Sequence, residues 1–303
     1  MSYDWHKFYD VYDRFMTGTY EEVLNDGSDK RGYGIMPELL EDLELQVFER
    51  AKAWDSTPND EFSGKTPEEI VSGIGDLDEM IKAFRIGAVE SDYDLPRSVL
   101  NRLTDFGDEA ASELMELALM PLIKKPGNDE TYRESDVRVA APAVRVLGTM
   151  RPEGFFERFT EALVGSFEPE EYISDEYSGF ARSYGEKAYL YMIGLLDSAC
   201  VSKDEFTPAH EVILSALVRM ENGSERKDVF ECVRNCFRVM DNKLLGALYV
   251  GDLGNPRGIR LLKGFLDSGA ADDDRELFYQ ILSAVRKLGG DIADVRDPFG
   301  DFV

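Results

Sequence analysis

The sequence predicts an all-α fold, and three observations support that prediction. Apolar residues recur at spacings of three and four along most of the chain, as on helices with one buried face. Glycine, proline and aspartate interrupt this pattern at intervals typical of single helices. The glycines that follow apolar stripes have separations that fit helix-pair repeats. Gly148 and Gly251 are 103 residues apart, which accommodates three periods of about 34, and Gly251 and Gly289 are 38 apart. We therefore expect antiparallel helix pairs stacked into an α-α superhelix (a solenoid), with an N-terminal helical cap.

The first 90 residues are expected to form the helical cap region. Trp5 and Phe8 begin an apolar stripe on one face of a first helix, which Gly18 is expected to end. Pro37 is expected to open a second helix, because proline fits the first helical position. The polar stretch "DSTPND" at 55–60 then interrupts the chain.

The tripeptide Gly-Lys-Thr at 64–66 has the residues that end a phosphate-binding loop. Such a loop needs a glycine five positions earlier, where Asn59 stands, and a strand leading into it, where the pattern is helical. Pro67 follows directly. Thr66 as N-cap with Glu69 three residues later is the pattern of a capping box. The stretch therefore predicts the start of a helix rather than a nucleotide site.

From residue 91 onwards the helical pattern becomes more regular, and it is most specific at 135–163. An aspartate is followed by Val-Arg, by paired alanines and by Leu-Gly. The residues are Asp136, Val137, Arg138, Ala140, Ala141, Leu147 and Gly148. Asp136 is expected to cap the helix, the alanines to let a neighbouring helix approach, and Gly148 to end the helix.

This segment resembles a HEAT repeat of the short, lyase-associated type. Weaker copies of the pattern occur at 248–269 and 275–290, where glycine again closes an apolar stripe. The resemblance implies a repeat array over 91–303, which forms either a separate domain or one continuous solenoid with the cap at 1–90. An end repeat needs such a cap because it otherwise exposes its apolar face.

The overall charge is strongly negative and limits the classes of partner. The 303 residues include 60 acidic and 34 basic ones, a formal net charge of −26. This charge disfavours binding to nucleic acid and to anionic membranes, because both are negatively charged. It favours a basic protein partner, although adaptation to a salt-rich cytoplasm also explains it. No run of about 18 apolar residues and no secretory signal is visible, so a cytoplasmic location is expected.

The residues that usually carry catalysis or bind metals are sparse. Cys200, Cys232 and Cys236 have only His6 and His210 as possible companions, and neither histidine has metal-ligand spacing. Buried thiols and structural or solvated histidines are therefore expected, with no metal, cofactor or catalytic residues. The C-terminal aspartates lack the spacing of a calcium loop.

One segment, 166–191, combines acidic residues with tyrosines and is longer than an ordinary repeat turn. The candidate protein-binding residues are Glu168, Glu171, Tyr172, Asp175, Glu176, Tyr177 and Tyr184. Tyrosine beside carboxylates suits contact with a basic partner, since tyrosine gives contact area at low entropic cost. The alternative is an insertion whose aromatic residues pack inward.

The HEAT resemblance implies a binding scaffold. By that analogy the function expected is a non-enzymatic protein–protein interaction scaffold whose acidic surface selects a basic partner. An immunity protein or antitoxin that masks a cationic toxin is one form of this hypothesis. The alternative is an enzyme, since bilin lyases and some DNA glycosylases are similar helical-repeat proteins. A basic groove with buried aromatic residues would favour the glycosylase, and an acidic one the scaffold.

Overall fold

The computed structural model describes residues 3–26, 37–123, 134–166, 171–201 and 205–301, and within these ranges the fold is all-α. The described residues form fifteen α-helices, with no β-strand among them. The helices are α1 (Trp5–Asp26), α2 (Pro37–Ser56), α3 (Pro67–Ser72), α4 (Leu77–Glu90), α5 (Arg97–Asp105), α6 (Asp108–Leu119), α7 (Glu134–Met150), α8 (Phe155–Gly165), α9 (Glu171–Tyr184), α10 (Glu186–Ala199), α11 (Pro208–Val218), α12 (Lys227–Val239), α13 (Lys243–Asp252), α14 (Arg257–Asp267) and α15 (Arg275–Lys287). The predicted fold class is therefore confirmed.

Helices adjacent in the chain pack against each other within two compact units. Unit 1 comprises residues 1–121 and 129–152 and contains α1 to α7, whereas unit 2 comprises 122–128 and 153–303 and contains α8 to α15. The division into a cap at 1–90 and a repeat array at 91–303 stays a prediction. No helix in the described ranges has both the length and the apolar character needed to cross a membrane.

The core of the first part of unit 1 is an aromatic cluster that α1 organises. Phe8 of α1 is fully buried and stacks on Phe62, with ring centroids 5.5 Å apart, and Trp54 of α2 packs edge-on against both rings. The prediction that Gly18 ends the first helix is wrong, because α1 continues to Asp26. Burial of Val23 beyond the glycine outweighs the cost of about 1 kcal/mol that an interior glycine carries.

The Gly-Lys-Thr stretch starts a helix, as predicted. The Thr66 hydroxyl accepts a hydrogen bond from the Glu69 backbone N–H at 3.1 Å, and the Glu69 carboxylate accepts one from the Thr66 backbone N–H at 2.9 Å. Pro67 occupies the first turn of α3. These two reciprocal bonds satisfy N–H groups that have no partner inside the helix.

Two of the glycines that were expected to end helices lie inside helices instead. Gly148 lies inside α7, which runs to Met150, because the Arg151 N–H bonds the Leu147 carbonyl and continues the helical turn. Asp136 likewise lies within α7 rather than at its cap. Gly251 lies inside α13, where a Cβ would come 3.0 Å from Ala284 Cβ of α15. Its small size therefore serves close helix packing.

Gly289 does follow its helix in the predicted manner. It comes just after α15 and has φ of +81°, the left-handed conformation that glycine adopts without strain. At the other end of α15, the carboxylate of Asp274 accepts a hydrogen bond from the Leu277 N–H at 3.0 Å. The acidic run 271–276 therefore contains the N-cap and the start of a helix.

Candidate functional sites

The predicted binding segment, 166–191, contains α9 and the start of α10, and its best-described candidate tyrosine is a core residue. Tyr177 is 0% exposed, and its hydroxyl lies 2.9 Å from the Thr160 hydroxyl of α8. Its ring stacks on those of Phe156 and Phe159. A side chain in this position stabilises the α8–α9 contact and offers no surface to a partner.

The other candidates in that segment are divided between core and surface. Tyr184 is half-buried against Phe156, with ring centroids 5.2 Å apart. Asp175 is exposed and Glu176 is half-buried. Glu168 and the side chains of Glu171 and Tyr172 lie outside the described residues. The described aromatic residues pack inward, which is the alternative that the sequence left open, and a binding role for the carboxylates stays a prediction.

An open groove of about 670 Å³ lies in unit 2 beside α10, and we call it the acidic groove. Its lining residues come from α8, α10, the segment before α11 and the first turn of α11. They are Glu161, Leu190, Tyr191, Gly194, Leu195, Ser198, Ala199, Glu205 and His210. All of these residues are described, and none of them is lysine or arginine. The groove therefore combines two carboxylates with an apolar wall.

A tyrosine and a carboxylate are paired inside the acidic groove. The Tyr191 hydroxyl donates a hydrogen bond to Glu161 Oε1 at 3.0 Å. Burial, and then this hydrogen bond, raises the pKa of Tyr191 to about 12. The phenol therefore stays protonated at neutral pH and holds the carboxylate in one orientation. The other Glu161 oxygen makes no hydrogen bond to a described residue.

The apolar wall of the acidic groove includes an exposed leucine. Leu190 is 61% exposed although it lies in the middle of α10. Gly194, one turn later, has no atom within 4 Å of the place where a Cβ would stand. The groove floor is therefore open beside Leu190, and a side chain from another molecule has room there.

His210 lies at the edge of the acidic groove, but its role is structural. It is the third residue of α11, and its Nδ1 accepts a hydrogen bond from the Thr207 backbone N–H at 3.1 Å. The ring stacks on Phe206, with centroids 5.5 Å apart. Burial lowers the pKa of His210, so the ring is neutral at neutral pH. It acts as the second member of a capping box.

A second open groove of about 730 Å³ lies in unit 2 between α12 and α14, and we call it the basic groove. Five of its lining residues are cationic and one is acidic. The residues are Phe230, Glu231, Arg234, Phe237, Arg238, Lys243, Arg257, Arg260, Leu261, Gly264, Phe265 and Ser268. Such a cluster of cations was not expected in a chain with a net charge of −26.

Helical spacing places the arginines on facing sides of the basic groove. Arg234 and Arg238 are four residues apart on α12, and Arg257 and Arg260 are three apart on α14, so each pair shares a helix face. Lys243 has a different role. Its ammonium donates to the carbonyls of 237, 238 and 240 at 2.7, 3.0 and 2.7 Å, which uses its three donors at the end of α12.

Three of the groove arginines carry uncompensated charge. Arg234 pairs with Glu231, yet its Nε is buried and makes no hydrogen bond within the described ranges. Arg238, Arg257 and Arg260 are exposed and form no ion pair with any described residue. Elsewhere in unit 2 some arginines have carboxylate partners, as Arg226 has Asp228 and Glu186, whereas others, such as Arg182 and Arg286, form no ion pair with a described residue. What distinguishes the groove arginines is therefore that they line one groove together.

The sequence around the basic groove is locally basic, although the net charge of the whole chain is strongly negative. Between residues 226 and 263 there are eight basic and four acidic residues, a local excess of positive charge in a chain of net charge −26. A sliding count of charge would have found this stretch. Its convergence into one groove depends on the packing of α12 against α14, which charge counting does not give.

Two of the three cysteines lie in the core of unit 2, whereas Cys200 is half-buried rather than buried as expected. Cys232 and Cys236 are fully buried on α12, as predicted, and the Cys236 sulfur lies 3.6 Å from that of Cys200 at the end of α10. The three thiols are free. Among the described residues, no three His, Cys, Asp or Glu side chains are arranged to hold a metal ion.

Comparison with known proteins adds no family to this description. A scan against protein-family models, a search of curated proteins and a search of solved structures each returned no match.

Proposed function

We propose that the chain is a non-enzymatic protein–protein interaction module that binds a basic partner, and that the acidic groove is the docking site. The observation that carries this proposal is the combination of Glu161, Glu205, Tyr191 and the exposed Leu190 in one open groove, whose described lining residues include no cation. The resemblance of 135–163 to HEAT repeats supports a scaffold role by analogy. A cytoplasmic location belongs to the same proposal.

The chemistry of the acidic groove fits a lysine or arginine of the partner. Such side chains lay an aliphatic stem along apolar surface and keep the charged head near carboxylates. Leu190 and Leu195 offer that apolar surface, and Glu161 and Glu205 offer the carboxylates. Tyr191 holds Glu161 in place, so less side-chain entropy is lost when the partner binds. A cationic toxin masked by this chain would be one such partner.

The same groove contains a serine and a histidine, but their contacts support a binding role. Nucleophilic catalysis needs a serine hydroxyl hydrogen-bonded to a general base. His210 uses its Nδ1 for the α11 cap, and no hydrogen bond joins it to Ser198. The Ser198 hydroxyl therefore has no base to activate it among the described residues.

The basic groove is the observation that favours the alternative, a helical-repeat enzyme acting on nucleic acid. Enzymes that modify a base stack it between aromatic or apolar side chains in a snug pocket. Phe230 and Phe237 are 4% and 2% exposed, and of the three aromatic rings that line the groove only Phe265 is half-buried, so one partly accessible ring is present rather than two between which a base would stack. The groove accordingly supports anion binding better than base recognition, and the polymer alternative is tested below.

A salt-dependent capture experiment tests the proposal. The tagged protein is incubated with lysate of its native cells at 50 mM and 500 mM salt, and the retained proteins are identified by mass spectrometry. We expect basic proteins that are held at low salt and lost at high salt, because exposed charge pairs are screened. The double variant Glu161→Gln/Glu205→Gln should lose them.

The matched control is Glu113→Gln/Glu116→Gln, which makes the same change of charge on exposed residues of α6 in unit 1. It should retain the same proteins. Equal loss from both double variants would show that only the overall charge matters, and the acidic groove would then not be the docking site.

A further inference from the structure

The geometry points to a second site: we propose that the basic groove binds a compact anion carrying two or more phosphate groups. Arg234 and Arg238 from α12 face Arg257 and Arg260 from α14 across an open volume of about 730 Å³, a size typical of small-molecule sites. This proposal is independent of the proposed protein-binding function.

The arginines of the basic groove repel each other electrostatically when no anion is bound. Like charges brought together on two helices repel each other, and carboxylates are the most abundant charged groups in this chain. Nevertheless Arg238, Arg257 and Arg260 have no ion-pair partner in the described part of unit 2. A bound anion removes this repulsion by taking the place of the missing carboxylates.

The guanidinium groups that line the basic groove supply N–H donors suited to phosphate. The guanidinium group presents its N–H donors in a planar fork that fits two oxygens of a phosphate. The buried Nε of Arg234 has no acceptor within the described residues, although a buried donor without a partner is costly. Because this Nε is fully buried, an anion in the groove contacts instead the exposed part of the guanidinium group, as the Arg234 side chain is 31% exposed.

The carboxylates that follow the groove residues in sequence favour a compact phosphate ligand over a polymer. Near the groove, carbonyls at the end of α12 accept from Lys243, and the first N–H groups of α14 donate to Asn255, so recognition depends on side chains. Ser268 lines the groove, but Asp267 precedes it and an acidic run at 272–274 follows. A nucleic acid or a long acidic peptide extends beyond the groove and meets such carboxylates, whereas a small polyphosphate stays among the arginines.

A glycine on the groove wall makes a steric test possible. Gly264 lies on α14 one helical turn beyond Arg260, is exposed, and has no atom within 4 Å of an added Cβ. Gly264→Ala therefore leaves the groove open and suits a helix. Gly264→Trp places a large side chain into the volume that the ligand needs and leaves the charges unchanged.

The experiment is isothermal titration of the full chain with inorganic tripolyphosphate at 100 mM salt. We expect saturable 1:1 binding that Arg238→Gln/Arg260→Gln weakens about tenfold or more, as loss of charge-assisted hydrogen bonds implies. Gly264→Trp should abolish binding, and Gly264→Ala should preserve it. The charge control is Arg275→Gln/Arg296→Gln, which removes two exposed cations outside the groove and should bind as the wild type does.

Parallel titrations with a hexaglutamate peptide and with single-stranded oligonucleotides of increasing length decide the class of ligand. The proposal is overturned if tripolyphosphate does not bind, or if Gly264→Trp or the groove arginine variant binds it as well as the wild type does. It is also overturned if the peptide binds more tightly, or if affinity rises with oligonucleotide length and exceeds that for tripolyphosphate. Circular dichroism of each variant establishes that it is folded.

Discussion

His210 shows at the scale of a single residue how a structural role and a titration are linked. The sequence indicated a structural or solvated histidine. In the structure it is the third residue of α11 and the second member of a capping box, and its ring is buried against Phe206. Burial lowers its pKa below the value of about 6.5 in an unfolded chain. The folded protein therefore takes up this proton less readily than the unfolded chain does.

The consequence for stability has a definite sign. Below pH of about 6.5 the unfolded chain binds a proton at this position that the folded protein resists, so the contribution of His210 to stability is lost as pH falls. We predict that the melting temperature of the wild type decreases more between pH 7.5 and pH 5.5 than that of His210→Gln. Glutamine keeps the capping function and does not titrate. Equal decreases in the two proteins would contradict this assignment.

Glycines show the limit of reading single residues from the sequence. Gly289 was expected to end a helix and does, with a positive φ. Gly18 and Gly148 lie inside helices, since glycine is compatible with a helix when buried residues follow it. Thr66 with Glu69 was more informative, because two reciprocal hydrogen bonds are specified by residue type and spacing.

At the scale of helix pairs, some glycines allow two helices to pack closely. Gly87 of α4 has the closest such contact, with α1. A Cβ at this position would lie 2.2 Å from the Tyr9 ring of α1, and Tyr9 is buried and has no room to move. We predict that Gly87→Ala lowers the free energy of unfolding by about 1–3 kcal/mol, as overpacking does. Urea denaturation monitored by circular dichroism measures the change.

The matched control for that prediction is Gly179→Ala in α9. Gly179 is exposed and has no atom within 4 Å of an added Cβ, so only helix propensity changes. This variant should be about 0.5–1 kcal/mol more stable than the wild type. If Gly87→Ala were as stable as the wild type, α1 and α4 would not be in the close contact described.

Helix positions could be predicted from the sequence, whereas the grooves could not. Apolar periodicity and proline marked most helices, and α2 begins at Pro37 as expected. The acidic groove combines α8, α10 and α11, and the basic groove combines α12 and α14. Residues from separate helices converge only through packing, and periodicity does not specify which exposed faces meet. The candidate segment 166–191 includes Leu190 and Tyr191 of the acidic groove. Tyr177, one of the candidate residues named from the sequence, is buried in the core instead.

At the scale of the whole molecule, net charge describes this chain poorly. A charge of −26 led to the expectation of an acidic surface without a basic patch. Unit 2 instead contains one groove with two carboxylates and one with five cations. Adaptation to salt explains an excess of acids but does not explain three arginines without carboxylate partners in the described residues. The proposed binding of a basic protein at one groove and of a small polyphosphate at the other would account for both.

The measurement that tests the central claim most directly is site-specific photo-cross-linking in native lysate. The photoreactive residue p-benzoylphenylalanine replaces Leu190 in the acidic groove or, as a control, the exposed Leu248 of α13. The account predicts cross-linked partner peptides rich in lysine and arginine at position 190 alone, and their loss when Glu161→Gln/Glu205→Gln is added. Peptides without an excess of basic residues, or a yield that the double variant leaves unchanged, would contradict it.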